Sequence, residues 1–173
     1  MLHTTALSLP TLSVSESRTL LFAALFTLGN ILLPQLCHLI PNGGIMLLPI
    51  YFFTLIGAYL YGWQLGLLVA VASPVVNHLL FGMPAAAVLP SILVKSSLLA
   101  LCAAAVARRT QQVSILLLVA VVLAYQVVGS LVESAFLGSL ALGFQDFRIG
   151  LPGMLLQVVG GYALIRWLGR LTA

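Results

Sequence analysis

The chain has 173 residues, of which 62% are hydrophobic and only 6% charged, whereas a soluble domain carries roughly 25% charged residues. So few charges cannot cover a water-facing surface, and nearly the whole length reads as apolar runs of the roughly 20 residues that cross a hydrocarbon core of about 30 Å. The formal charge of +4 comes from seven Lys and Arg against three Asp and Glu. The basic residues gather at the ends of apolar runs, where they set membrane orientation, and form no stripe with aromatics; no nucleic-acid partner is expected.

In chain order, residues 1–18 are polar and Ser/Thr-rich, with Pro10 and the pair Glu16 and Arg18. They lack the basic start, short apolar stretch and cleavage site of a secretory signal, and read as a cytoplasmic or interfacial lead-in to one membrane domain over 19–173. The first apolar run goes from Thr19 to Ile40 and is broken by Asn42-Gly43-Gly44, which is turn chemistry. The second (Ile45 to Tyr61) and third (Leu65 to Phe81) are separated only by Gly62-Trp63-Gln64, so they must form an antiparallel hairpin. Gly82-Met83-Pro84 ends the third run, and the fourth continues from Ala85 to Ala107. Arg108-Arg109-Thr110-Gln111-Gln112 leaves the membrane, the fifth run covers Val113 to about Leu140, and the polar interval Phe144 to Arg148 precedes the sixth, Ile149 to Leu168. No run alternates with period 2 as a membrane barrel strand would.

The expected fold is an all-α integral membrane protein, a compact bundle of six transmembrane helices. Counting Lys and Arg on each side gives its orientation. With a cytoplasmic N-terminus, Arg18, Arg108, Arg109, Arg166 and Arg170 fall inside and only Arg148 outside, so both termini are expected in the cytoplasm. Small residues recur every four positions at Ala58, Gly62, Gly66 and Ala70, and again at Ser130, Ser134 and Gly138. That spacing lets helices approach closely in lipid. Cys37 and Cys102 fall near opposite faces, too far apart for a disulfide.

At 1.5 Å per residue, most polar side chains fall in the outer half of this bundle. Gln35 and His38 end the first run, with Asn42 beyond; Asn77 and His78 end the third. Tyr125, Gln126 and Glu133 lie on the fifth, and Gln157 on the sixth. Lys95 falls near the midplane, or higher if Pro90 delays the start of its helix. Polar groups in lipid normally face the protein interior, a partner or a water-filled cavity. Their convergence points to a pocket opening outward, in which Lys95 and Glu133 either pair with each other or hold a charged ligand. Each residue has a plainer role too: a structural ion pair, interfacial or core histidines, interhelical amide bonds. No nucleophile elbow, zinc spacing or phosphate-cradling loop is present, so an enzyme is not expected and any energy for transport would come from a gradient or a partner. No cofactor or metal is expected.

The stretch Asn42-Gly43-Gly44-Ile45-Met46-Leu47-Leu48-Pro49, then Gly57-Ala58 and Tyr61-Gly62-Trp63-Gln64-Leu65-Gly66, resembles the substrate-binding S components of energy-coupling factor transporters. Asn77-His78-Leu79-Leu80-Phe81-Gly82-Met83-Pro84 resembles the family's pattern at the outer end of helix three. The resemblance implies a binder of a vitamin or related micronutrient in a prokaryotic plasma membrane, docked on a coupling protein and two ATP-binding-cassette ATPases. Transport would proceed by toppling of the S component in the bilayer. It also implies a ligand site in the outer half, contacted by helices three to six and capped by the loop of Asn42, Gly43 and Gly44. The family's Ala-x-x-x-Ala docking motif has its nearest match at Ala23 and Thr27, a departure at the second position. The residues expected to bind substrate are Asn42, Asn77, His78, Lys95, Gln126, Glu133 and Gln157. The alternative is a small membrane scaffold or assembly protein with no small-molecule ligand.

Overall fold

The computed structural model describes residues 5–6 and 16–172. Most of the lead-in segment at 1–18, including Pro10, lies outside the described residues. Within it, β1 (Thr5–Ala6) pairs antiparallel with β2 (Gln112–Val113).

Among the described residues, six helices are long and apolar enough to cross a membrane: Ser17–Cys37, Gly43–Tyr61, Trp63–Phe81, Leu89–Thr110, Ile115–Leu137 and Leu151–Leu171. Two of their boundaries follow directly from local chemistry. Gly62, at φ 95 and ψ 178, is the one residue between α3 (Phe52–Tyr61) and α4 (Trp63–Phe81), a conformation that only glycine adopts without strain. Ser114 caps α6 (Ile115–Leu137) by accepting a hydrogen bond from the Leu117 amide at 3.2 Å, which satisfies one of the free donors of a helix start.

Run boundaries move relative to the sequence reading. α5 (Leu89–Thr110) starts at Leu89, four residues later than Ala85. Proline fits the first turn of a helix but not its middle, and Pro90 sets that start. Lys95 therefore lies about 9 Å below the top of its helix, in its upper third rather than at the midplane. The fifth run ends at Leu137, because Gly138 turns the chain at φ 64 into the short helices α7 (Leu140–Gly143) and α8 (Gln145–Ile149).

The second span is interrupted. α2 (Gly43–Leu47) ends at Leu48, which is left-handed at φ 47 and ψ 45, and a 3₁₀ turn over Pro49–Tyr51 leads into α3. Pro49 disfavours helical geometry at Leu48. α9 (Leu151–Thr172) covers the break at Gly153, whose missing side chain leaves room for the main chain of Leu47.

α3 is the centre of the bundle, in contact with α1 (Ser17–Cys37), α4, α5 and α9. Its residues from Thr54 to Tyr61 are all buried. α1 docks on it through rings: Phe22 stacks on Tyr61 at 4.7 Å between centroids, and Phe26 meets Phe53 at 6.2 Å. The opposite side of α1 presents Leu21, Leu25, Leu28, Leu32 and Leu36 outward, as a lipid-facing helix does. An even number of crossings returns both ends of the bundle to one side. We call that side the Arg108 end and the other, with the loops after α1, α4 and α6, the Asn42 end.

Candidate functional site

A cavity of about 540 Å³ opens at the Asn42 end. Its polar wall residues are Gln35 and His38 from α1, Asn77 from α4, Glu133 from α6, and Gln145 and Asp146 from α8. The apolar part of the wall includes the interrupted stretch from Leu48 to Tyr51 and the loop between α4 and α5 around Met83 and Pro84. Non-helical backbone at membrane depth is tolerated where it is buried in protein or borders a cavity, and the break in the second span satisfies that condition.

The wall at Asn77 is built around a proline in α1. Pro34 lies within α1 and has no N–H, so the carbonyl of Asn30 has no helical donor. Asn77 Nδ2 supplies one at 3.0 Å and also donates to the carbonyl of Ser73 at 2.9 Å. The Asn30 side chain reaches the centre of the bundle: Nδ2 donates to Thr54 Oγ1 at 3.0 Å and to Ser73 Oγ at 3.2 Å. Its Oδ1 accepts from the Phe53 amide at 3.0 Å. That amide belongs to the first turn of α3, where donors have no partner within the helix. Both donor hydrogens of Asn77 are thus committed, and its buried Oδ1 has no hydrogen-bond partner.

The charged floor lies across the cavity. Lys95 Nζ is paired with Glu133 Oε2 and with Asp146 Oδ2, the latter at 2.8 Å. The Lys95 side chain is fully buried, while those of Glu133 and Asp146 are 12% and 30% exposed. Gly129 makes room for the lysine, since a β-carbon there would stand 2.5 Å from Lys95 Cγ. Lys95 is not itself on the cavity wall; the two carboxylates lie between its ammonium and the open space. One ammonium facing two carboxylates leaves one formal negative charge in excess.

The other residues singled out in the sequence are placed as follows. Asn42 is exposed, left-handed at φ 58, and not on the wall; its neighbour Gly44 is. His78 is held by the Pro84 carbonyl, 2.8 Å from Nδ1, and fixes the loop between α4 and α5 without lining the cavity. Gln126 and Gln157 are buried deeper. Gln157 Oε1 accepts from the Tyr125 hydroxyl at 3.0 Å, whereas neither amide atom of Gln126 has a partner. No wall residue comes from α9; helices one and two contribute instead. Ala23 and Thr27 line a separate shallow apolar groove between α1 and α4, with Ala24, Leu28, Leu68 and Ala72.

Sequence reasoning did not assign Asp146, Asn30 or Gln145. Asp146 is one of only three acidic residues in the chain, but it falls in the polar interval between the last two runs rather than inside one. For Asn30 the available signal was an amide four residues before a proline inside one apolar run. Among the described residues, no group of three His, Cys, Asp or Glu side chains is arranged to hold a metal ion. No protein family, curated protein or solved structure matches the chain. The chain is a multi-pass membrane protein by its helices.

Proposed function

We propose that this chain is the substrate-capture S component of an energy-coupling factor importer in a prokaryotic plasma membrane. It takes a vitamin-like micronutrient from the outer face and passes it on through a coupling protein and two partner ATPases. The observation that carries this reading is the cavity at the Asn42 end. Its volume falls in the roughly 300–1,000 Å³ range of small-molecule sites, and it combines an apolar wall with a few convergent polar groups. By the count of flanking arginines, that end faces outward. The start of α2, just after the turn at Asn42, meets its rim at Gly44, where the resemblance to S components expects a cap. The groove holding Ala23 and Thr27 is the docking surface in this reading.

The test is purification of the tagged protein from its own cell's membranes in mild detergent, with identification of co-purifying proteins by mass spectrometry. Recovery of a coupling protein and two ATP-binding-cassette ATPases is the expected result. A folded protein that brings down none of them, even after cross-linking, would turn the reading to a membrane scaffold.

A further inference from the structure

We propose that the cavity selects a ligand bearing a positively charged, hydrogen-bond-donating nitrogen group, held by the carboxylates of Glu133 and Asp146. This inference rests on the capture reading above and adds the charge class of the substrate.

Three observations converge. The first is the charge on the wall. Glu133 and Asp146 both border the cavity, while Lys95, the one formal cation paired with them, is fully buried behind them and absent from the wall. No Lys or Arg is among the wall residues. In surroundings of low dielectric an excess charge is strongly disfavoured unless it is paired, and a cationic ligand supplies the missing partner. An anion placed there would add to the excess.

The second is an unpartnered acceptor. Asn77 is 2% exposed and lies on the wall. Its Nδ2 is engaged by the carbonyls of Asn30 and Ser73, which fixes the amide orientation and leaves Oδ1 as the atom without a partner. A buried acceptor of this kind is expensive to leave unmade. Oδ1 is itself buried just under the wall surface, where its partial negative charge favours a cationic or N–H-bearing group over a carboxylate or carbonyl. This observation is independent of the ion pair, since Asn77 is on α4 and the carboxylates are on α6 and α8.

The third is how the carboxylates are placed. Asp146 comes from a short helix between spans, and its side chain is the more exposed of the two. Lys95 holds both carboxylates on one side of the opening, so an entering ammonium or amidinium meets them already oriented. The apolar part of the wall, including Leu48, Ile50, Val88 and Ile92, accommodates the ligand's uncharged body. The ligand class is therefore a small organic cation with at least one N–H donor on an apolar or aromatic frame.

The experiment has two parts, both on the full chain in mild detergent. Small molecules carried through purification are released by heat and identified by mass spectrometry. Thermal unfolding is then followed with tryptamine (an ammonium) and benzamidine (an amidinium) as cationic probes, riboflavin as a neutral one, and biotin and pantothenate as anions, along with any released compound. The expected result is that the released or stabilising compound is a cation at neutral pH. Its affinity should fall at least tenfold in Glu133→Gln and in Asp146→Asn, with both variants eluting as monodisperse protein. Asp146→Asn, at the more exposed position, keeps the test open if Glu133→Gln fails to fold. A released or stabilising compound that is anionic, or that lacks a basic nitrogen, overturns this inference and leaves the capture reading standing. Binding of a cation with unchanged affinity in Asp146→Asn overturns the assignment of the carboxylates. If nothing is released and no probe stabilises the protein, the capture reading itself falls, and this inference with it.

Discussion

Asn77 Nδ2 lies 3.0 Å from the main-chain oxygen of Asn30, the carbonyl that Pro34 leaves without a helical donor. A side chain on α4 thereby repairs a gap in α1, and the repair fixes one wall of the cavity. Removing the amide leaves a buried carbonyl unsatisfied, at a cost of about 1–3 kcal/mol. Asn77→Ala is expected to lower stability in detergent by about that amount. Pro34→Ala restores an N–H to α1, so the loss should shrink when Asn77→Ala is made in that background. An equal loss in both backgrounds, by thermal unfolding, would rule out this account of Asn77.

The ion-pair cluster has a different sensitivity on each side. Lys95→Met leaves two part-buried carboxylates facing one another without their cation; breaking a fully buried pair from one side costs about 3–5 kcal/mol, and the partial exposure here lowers that figure. Glu133→Gln leaves Lys95 still paired with Asp146, so it should cost markedly less. The triple change Lys95→Met, Glu133→Gln and Asp146→Asn should recover most of the stability lost by Lys95→Met alone. Expression and unfolding in detergent read all three. A triple variant no better than Lys95→Met would show that the lysine is needed for packing rather than charge.

Much of the fold was legible because membrane spans obey a length rule that composition satisfies directly. The hairpin at Gly62 was visible for the same reason: a link of three residues permits little else. The polar cluster was legible as a set, since amides and charges inside apolar runs stand out. What sequence could not give was which of them share a cavity. Lys95 looks like the exposed bait of the site, yet helix rotation puts it behind Glu133 and Asp146. Gln157 is on a span expected to contribute, but it faces the Tyr125 hydroxyl. The break at Leu48 was hidden too. The signal there is one proline, and whether it breaks the span depends on α9 offering Gly153 against Leu47.

The close packing of the hairpin is expected to be intolerant of bulk. A β-carbon at Gly66 would stand 2.5 Å from the Ala58 β-carbon and 3.0 Å from its α-carbon, so one helix backbone must move. Overpacking of this kind costs about 1–3 kcal/mol. Gly66→Ala should therefore lower stability, and Gly66→Val more so. Ala58→Gly made together with Gly66→Ala should restore part of the loss by vacating the contact. Thermal unfolding of the three variants checks the order. Full tolerance of Gly66→Val would mean that α3 and α4 are not packed this closely.

Gln126 and Gln157 are both fully buried on adjacent spans, yet opposite effects are expected from removing their amides. Gln157 Oε1 accepts from the Tyr125 hydroxyl, and Tyr125 has no exposure. Gln157→Met orphans that hydroxyl and should cost about 1–3 kcal/mol. Gln126 has no hydrogen-bond partner on either amide atom, so its burial is uncompensated. Gln126→Met keeps the length and most of the volume while removing the polar atoms, and it should leave stability unchanged or raise it by about 1 kcal/mol. The two variants, compared by thermal unfolding in the same detergent, give a difference in sign that does not depend on absolute stability. If Gln126→Met were as damaging as Gln157→Met, the Gln126 amide would have to be satisfied by ordered water. The polar interior would then extend below the ion pair as a hydrated channel rather than ending at Lys95.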